Sequence, residues 1–308
     1  MNNNVIQHPA AEVRTRAIGA MLGLAVGDAV GTTLEFRQRD SYEPLTDMIG
    51  GGPFDLPPGC WTDDTSMALA LADSLAFRGG LDTTDLMQRF MRWWQEGDYS
   101  PAGHCFDIGT TTRQALQKFV DTGNPLAGSV DPMEAGNGSL MRLAPIAIRG
   151  LTIDEKQMRE EARVQSATTH GATTCLDACE AWSTILLGVM RGQSFESAAT
   201  DASHLPIGDP IKSIVAGSWK SKSRHEIASS GYIAHSLEAA LWCNAQCDNF
   251  REIILLAANL GHDADTTAAI AGQLSGARFG LDGIPEEWRS RLAWHDRIVA
   301  AANRLMGF

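Results

Sequence analysis

Four glycines recur at every fourth position of one apolar stretch: Gly19, Gly23, Gly27 and Gly31. Ile18, Leu22 and Val26 keep the same spacing beside them, the apolar stripe of a helix. So many glycines weaken a helix in isolation. Gathered on one face, they let another backbone come close. The pattern therefore predicts a central, tightly packed helix, not a surface one. A second segment, about 265–279, is also rich in Ala and Gly and suits the same close packing.

The rest of the chain reads as further helices. Thr62 fits an N-cap, Met67, Leu71 and Leu75 mark a buried stripe, and Gly79-Gly80 end that helix. A helix over 84–94 would turn Leu86, Phe90, Met91 and Trp94 inward. Helical patterns also cover about 155–167, 173–190, 232–246 and 250–259. Leu281 to Pro285 reads as a turn, and a final helix runs from about Glu286 to Met306. Segments 50–59, 95–110 and 121–139 read as loops. Strand-like alternation is nearly absent, and neither a repeat nor a linker divides the chain. The expectation is an all-α fold, a single compact domain of about a dozen helices over 14–308 behind a loose tail at 1–13.

Composition narrows the function. With 44% hydrophobic and 20% charged residues, the chain has material for a sizeable core. Its 25 basic and 37 acidic residues leave a net charge of −12, which argues against a nucleic-acid surface. The start is polar and lacks a secretory pattern. The stretch Ile18 to Val30 is short for a membrane span and carries Asp28. A cytoplasmic protein is expected, with its six cysteines as reduced thiols. Cys175/Cys179 and Cys243/Cys247 have i, i+4 spacing. A four-cysteine zinc site would require their helices to meet, and the default is small buried hydrophobes.

Two acidic clusters stand far apart in the chain: Thr62-Asp63-Asp64-Thr65 and Asp263-Ala264-Asp265-Thr266-Thr267. Each precedes helical sequence. The simple reading is capping, with Asp in the first turn opposing the positive helix end. Capping, however, does not need adjacent carboxylates twice over. If the clusters fold together, one carboxyl takes up a proton unless a cation intervenes. Two divalent cations would neutralise four aspartates, and oxygen donors suit magnesium or manganese.

Other segments admit two readings each. Gly136-Asn137-Gly138-Ser139 is either an ordinary turn or a loop whose glycines take left-handed angles and expose amides to a phosphate. Asp107, ahead of Gly109 and Thr110, either caps a helix or presents a carboxylate to a sugar. Glu35 is acidic between the apolar Leu34 and Phe36. His170 follows Thr168-Thr169 and is structural or catalytic.

In this order, the pieces resemble the ADP-ribosylglycohydrolase family. The matching blocks are Gly19 to Ala29, Leu34-Glu35-Phe36, Trp61 to Thr65, Gly136-Asn137-Gly138 with Met141-Arg142, Thr169-His170, Ser230-Gly231-Tyr232 and Asn259 to Thr266. The set spans nearly the whole chain and includes features of arginine-directed members. The resemblance implies an all-α fold with a dinuclear magnesium or manganese cleft. It implies Thr62, Asp63, Asp64, Asp263, Asp265 and Thr266 as metal ligands. It implies Asp107 and Glu35 as catalytic carboxylates. Gly109, Gly136, Asn137, Gly138, Ser139, Met141, His170 and Tyr232 would bind ADP-ribose. Ser139-Leu140 replaces two alanines common in the family, and His262 replaces a common glycine. Both departures bear on substrate choice, Leu140 through its bulk at the cleft mouth.

The implied activity is removal of ADP-ribose from a modified protein side chain, arginine first. It would reverse an ADP-ribosyltransferase, either a regulator or a toxin. In the second role the tail would contact the toxin. Serine-, O-acetyl- or nucleic-acid-linked ADP-ribose are alternative substrates. A non-catalytic ADP-ribose or toxin binder is the alternative of another class.

Overall fold

The computed structural model describes residues 10–308. The expected tail falls mostly on residues 1–9, outside the described residues, and Ala11 to Val13 already belong to the first helix. Fifteen α-helices and no strand occur among the described residues: α1 (Ala11–Gly31), α2 (Asp63–Arg78), α3 (Thr83–Glu96), α4 (Thr110–Thr122), α5 (Gly138–Met141), α6 (Ala144–Arg149), α7 (Glu155–Ala167), α8 (Thr173–Met190), α9 (Phe195–Ser203), α10 (Ile211–Val215), α11 (Ile233–Gln246), α12 (Phe250–Ala258), α13 (Ala264–Gly283), α14 (Glu286–Arg291) and α15 (His295–Leu305). The expected all-α class holds, and the long helices other than α4 stand where the periodicity put them. The short helices α5, α6 and α10 are too brief to show a period, and α9 was also not expected.

The glycine face of α1 lies on α13. A Cβ on Gly23 would overlap the Gly272 carbonyl oxygen, and one on Gly27 the Ala268 carbonyl oxygen. Gly272 and Gly276 return the contact against Gly23 and Gly19. The two backbones thus touch along four turns, which only glycine and alanine permit. Every residue of α1 from Ala17 to Gly31 is buried. The segment Ala11–Leu34 is long and apolar enough to cross a bilayer, but nearly all of it is enclosed by other helices, as in a core helix.

Three local expectations are corrected. In α3 the buried tryptophan is Trp93; Met91 and Trp94 only border the core. The helix bounds of α13 run past the expected turn to Gly283, although Gly280, at φ 69°, has already left helical geometry. The final helix is broken. The Ala293 amide donates to Gly59 O at 2.9 Å, and Trp61 Nε1 donates to Ala293 O at 3.1 Å. These tertiary bonds take the backbone that a continuous helix would have used. The cysteines remain free thiols, and among the described residues no candidate metal cluster contains one.

Candidate active site

The close pairing of α1 with α13 carries the C-terminal end of α1 to the start of α13; a Cβ on Gly31 would overlap Ala264 O. α2 begins at the same place. Thr62 and Asp263 occupy the N-cap positions of α2 and α13, yet neither side chain accepts a capping bond from its helix backbone. Side-chain capping therefore fails, although Asp63, Asp64 and Asp265 do stand in first turns. Thr62 Oγ1 lies 2.8 Å from Asp28 Oδ1 and 3.3 Å from Asp265 Oδ2. Thr266 Oγ1 donates to Asp64 Oδ1 at 3.1 Å. The two acidic clusters have converged.

Asp28 binds the arrangement together, and the sequence reading did not select it. Its Oδ1 accepts from the Thr62 amide and hydroxyl, both at 2.8 Å. Its Oδ2 accepts from the Thr65 amide at 3.0 Å and hydroxyl at 2.7 Å. The available signal was a lone carboxylate in a stretch otherwise fit only for burial, since a buried charge needs a partner. Glu35 closes the other side. Its Oε2 accepts from the amides of Ala264 at 2.8 Å and Asp265 at 3.4 Å, across the start of α13. Asn137 Nδ2 reaches Asp263 Oδ2 at 2.6 Å and Ser236 Oγ at 2.8 Å.

Oxygens of Asp28, Asp64 and Asp265 lie within 4.8 Å of one another, and so do those of Glu35, Asp263 and Asp265. Asp265 belongs to both groups. Burial pushes all these carboxyls upward: Asp28 to about 6, Glu35 to about 8, Asp64 and Asp265 well above the ordinary range, and Asp263 against the pull of its hydrogen bonds. At Asp64 and Asp265, neighbouring carboxylates add to the push. Asp63 is raised well above the ordinary range by burial, then by Asp107 and Asp28. Asp107 is raised to about 7 by burial, then by Asp28 and Asp263. Among the described residues, none of these carboxylates joins an ion pair with Lys, Arg or His. Asp64 Oδ2 is buried with no hydrogen-bond partner. An all-oxygen donor set, an orphaned buried carboxylate oxygen and uncompensated negative charge fit hard divalent cations.

Above this floor opens a cleft of about 650 Å³, a volume ordinary for small-molecule sites. Of the expected residues, Glu35, Asp63, Asp107, Gly109, Gly136, Asn137, Gly138, Met141, His170, Asp263, Asp265 and Thr266 line it. Thr62 and Asp64 lie buried among the same acidic groups. Asp107 does not cap a helix: Gly109 is the N-cap of α4, without a side-chain bond. Phe36, Ile108, Thr110 to Thr112, Ser230, Gly231 and His262 also line the cleft; none had been given a site role, although His262 had been marked as bearing on substrate choice.

Four expectations change. Ser139 does not line the cleft; it is fully buried and bonds Ser166 Oγ at 2.8 Å. Leu140 is also fully buried, so its bulk cannot shape the mouth. Tyr232 lines an adjoining hollow with Lys222 and Glu238, its ring edge-on to His235. Only its backbone serves the site, paired with Gly136. The glycine loop offers only part of the expected run of amides, since those of Gly138 and Ser139 keep no partner while the two before them are taken. Gly136 N donates to Glu134 O at 2.8 Å, and Asn137 N donates to Gly231 O at 3.0 Å. Neither Gly136 nor Gly138 has positive φ. Glycine is needed there because His170 lies against the loop: a Cβ on Gly138 would stand 2.8 Å from His170 Cε1. Burial holds His170 neutral, pushed down to about 3, with Nδ1 bonded to Thr169 Oγ1 at 2.8 Å. It is a structural wall of the cleft. His262 sits at φ 59°, a left-handed position that glycine fills without strain.

Comparison with known proteins agrees with this geometry. A family model described as ADP-ribosylglycohydrolase matches residues 9–307. The chain is 43% identical over 300 residues to ADP-ribosylarginine hydrolase Tri1 of Serratia proteamaculans (strain 568), covering 96% of this chain and 80% of that one. It is 46% identical over 291 residues to the protein of the same name from Pseudomonas putida (strain GB-1), covering 94% and 77%. With ADP-ribosyl-[dinitrogen reductase] glycohydrolase of Rhodospirillum rubrum it shares 33% identity over 284 residues, 91% of each. A solved structure, an ADP-ribosylglycohydrolase-related protein complex, superposes with a TM-score of 0.86 at 39% identity, covering 97% of this chain and 99% of that one.

Proposed function

Because the chain belongs to the ADP-ribosylglycohydrolase family, we propose that it hydrolyses the bond between ribose C1″ of ADP-ribose and the guanidinium nitrogen of a modified arginine side chain. The relatives named for arginine cover nearly all of the chain. The observation that carries the reading is the convergence of the two acidic clusters around Asp265 on the floor of one cleft.

Thr62, Asp63, Asp64, Asp265 and Thr266, with Asp28, Glu35 and Asp263, would hold two divalent cations, magnesium or manganese. Such ions supply neutralisation of the carboxylates and orientation of the ribose hydroxyls. The chain's own groups do the rest. Burial raises the Asp107 carboxyl to about 7, which favours its protonated form. That carboxyl can protonate the departing guanidine nitrogen and then take a proton from attacking water as positive charge leaves the sugar. Asn137 fixes Asp263. The first turn of α4, Thr110 to Thr112, faces the cleft with unpaired amides and hydroxyls suited to the pyrophosphate. The six free thiols suit a cytoplasmic enzyme that reverses an ADP-ribosyltransferase, whether regulator or toxin.

The test is release of ADP-ribose from arginine-modified protein, with and without EDTA, beside a generic phosphoester. Release that EDTA abolishes, with the phosphoester untouched, is expected. Asp107→Asn should end turnover while keeping metal content; full activity in that variant removes the role of Asp107.

A further inference from the structure

The rim of the cleft carries an aromatic row that the chemistry above does not use. Phe36 lines the cleft and is 68% exposed. Its backbone sits at φ 61°, a conformation that residues bearing a Cβ rarely adopt. The surroundings hold it there. The Phe36 amide donates to His262 O at 2.7 Å, and the His262 amide donates to Arg37 O at 2.7 Å. Three residues on, Arg39 donates to Leu260 O, Arg224 O and Ile227 O at 2.7–2.8 Å. An exposed apolar ring held by a strained, over-determined backbone serves something other than folding.

The ring continues into a row. Phe36 meets Phe54 edge-on with centroids 6.2 Å apart, and Phe54 tilts against Phe106 at 5.2 Å. The row joins two carboxylates of the site, Glu35 beside the cations and Asp107 as acid and base: Phe36 directly follows Glu35, and Phe106 directly precedes Asp107. The cleft wall bears Glu35, Asp63, Asp107 and Asp263, and neither Lys nor Arg lines it. An exposed aromatic face in a wall free of competing Lys and Arg suits a planar organic cation. A neutral serine oxygen gains nothing from such a face.

We propose that Phe36, backed by Phe54 and Phe106, receives the guanidinium of the modified arginine and sets the preference of this enzyme for that linkage. The proposal rests on the arginine reading above. It places the leaving group at the Phe36 rim and the nucleotide toward the Gly136–Gly138 loop and α4.

The experiment compares Phe36→Ala, Phe36→Leu and Phe36→Tyr with the wild type on an ADP-ribosyl-arginine peptide. Free ADP-ribose serves as competing inhibitor, and thermal melts check folding. Loss of a cation–π contact predicts a rise in KM of about 5- to 20-fold in the Ala and Leu variants. Tyr should restore the wild-type value, and the inhibition constant for ADP-ribose should stay the same in all four proteins. Leu matching the wild type would reduce the site to apolar contact and overturn the proposal. Weakened ADP-ribose inhibition in Phe36→Ala would put the ring on the nucleotide side, and an unchanged KM would leave it without a ligand; either result overturns the proposal. A wild type unable to cleave the arginine peptide defeats the functional reading itself, before any variant is compared.

Discussion

The hydroxyl of Thr266 lies 3.1 Å from Oδ1 of Asp64, although 202 positions separate the two residues. Thr62 and Asp265 repeat the relationship across 203 positions at 3.3 Å. Each acidic cluster thus completes the other, and neither supplies a side-chain cap to its own helix. The site exists only where α1, α2 and α13 meet.

Asp64 has one carboxylate oxygen buried without a partner. Asp64→Asn should therefore lower metal content and end turnover. The metal-free variant should melt no lower than the metal-free wild type, because Asn replaces a buried carboxyl whose charged form is disfavoured. Elemental analysis paired with thermal melts checks both outcomes. Full metal content in the variant would show that Asp64 is not a ligand.

The raised carboxyls make metal-free stability depend on pH. Their folded values lie above the unfolded ones, with Asp28 at about 6, Asp107 at about 7 and Glu35 at about 8. The folded chain therefore binds more protons than the unfolded chain between the ordinary carboxylate range, about 4, and those values. Stability conferred by the protonated forms falls as pH rises through that window. EDTA-treated protein should melt higher at pH 5.5 than at pH 8, and added magnesium or manganese should raise the melting temperature most at pH 8. Melts across pH, with and without metal, test this; a metal-free protein that gains stability toward pH 8 contradicts it.

Gly23 faces the Gly272 carbonyl with no room for a Cβ. Gly23→Ala must push α1 away from α13, at a cost of about 1–3 kcal/mol or more. The displacement should also loosen the metal site at the end of the pair. Gly79→Ala is the contrast: its Cβ would meet open space, and only the left-handed backbone at φ 67° resists, for about 1 kcal/mol. Urea denaturation of both variants, with metal titration, separates the two effects.

Gly138→Ala would drive a Cβ into the His170 ring. Because His170 and the loop wall the cleft rather than the ion floor, the variant should raise the KM for substrate while metal affinity stays within about twofold, an unresolved change of under 0.5 kcal/mol. Calorimetric metal titration beside steady-state kinetics measures both. Equal loss of metal and substrate binding would place the loop in the ion site.

Much of this was legible in one dimension. The fourfold glycine spacing in α1 announced a backbone contact, and the Ala/Gly composition of 265–279 marked its partner. The paired aspartates declared oxygen chemistry. These are properties of period and residue type, which local sequence carries. The chain could not show which side chains share a cavity. Asp28 looked like an interruption in an apolar helix until Thr62 and Thr65 supplied its four hydrogen bonds. Ser139 and Tyr232 sit within matching motifs, yet helix packing turns their side chains away from the cleft. Gly136 and Gly138 looked like turn glycines, and they are instead spacers for a ring 32 or more positions further on. Helical character arises from neighbours a few residues apart, whereas a charged cavity depends on distances set by the packing of whole helices. Sequence thus determined the elements and their chemistry, and tertiary structure alone decided which carboxylates must share a site.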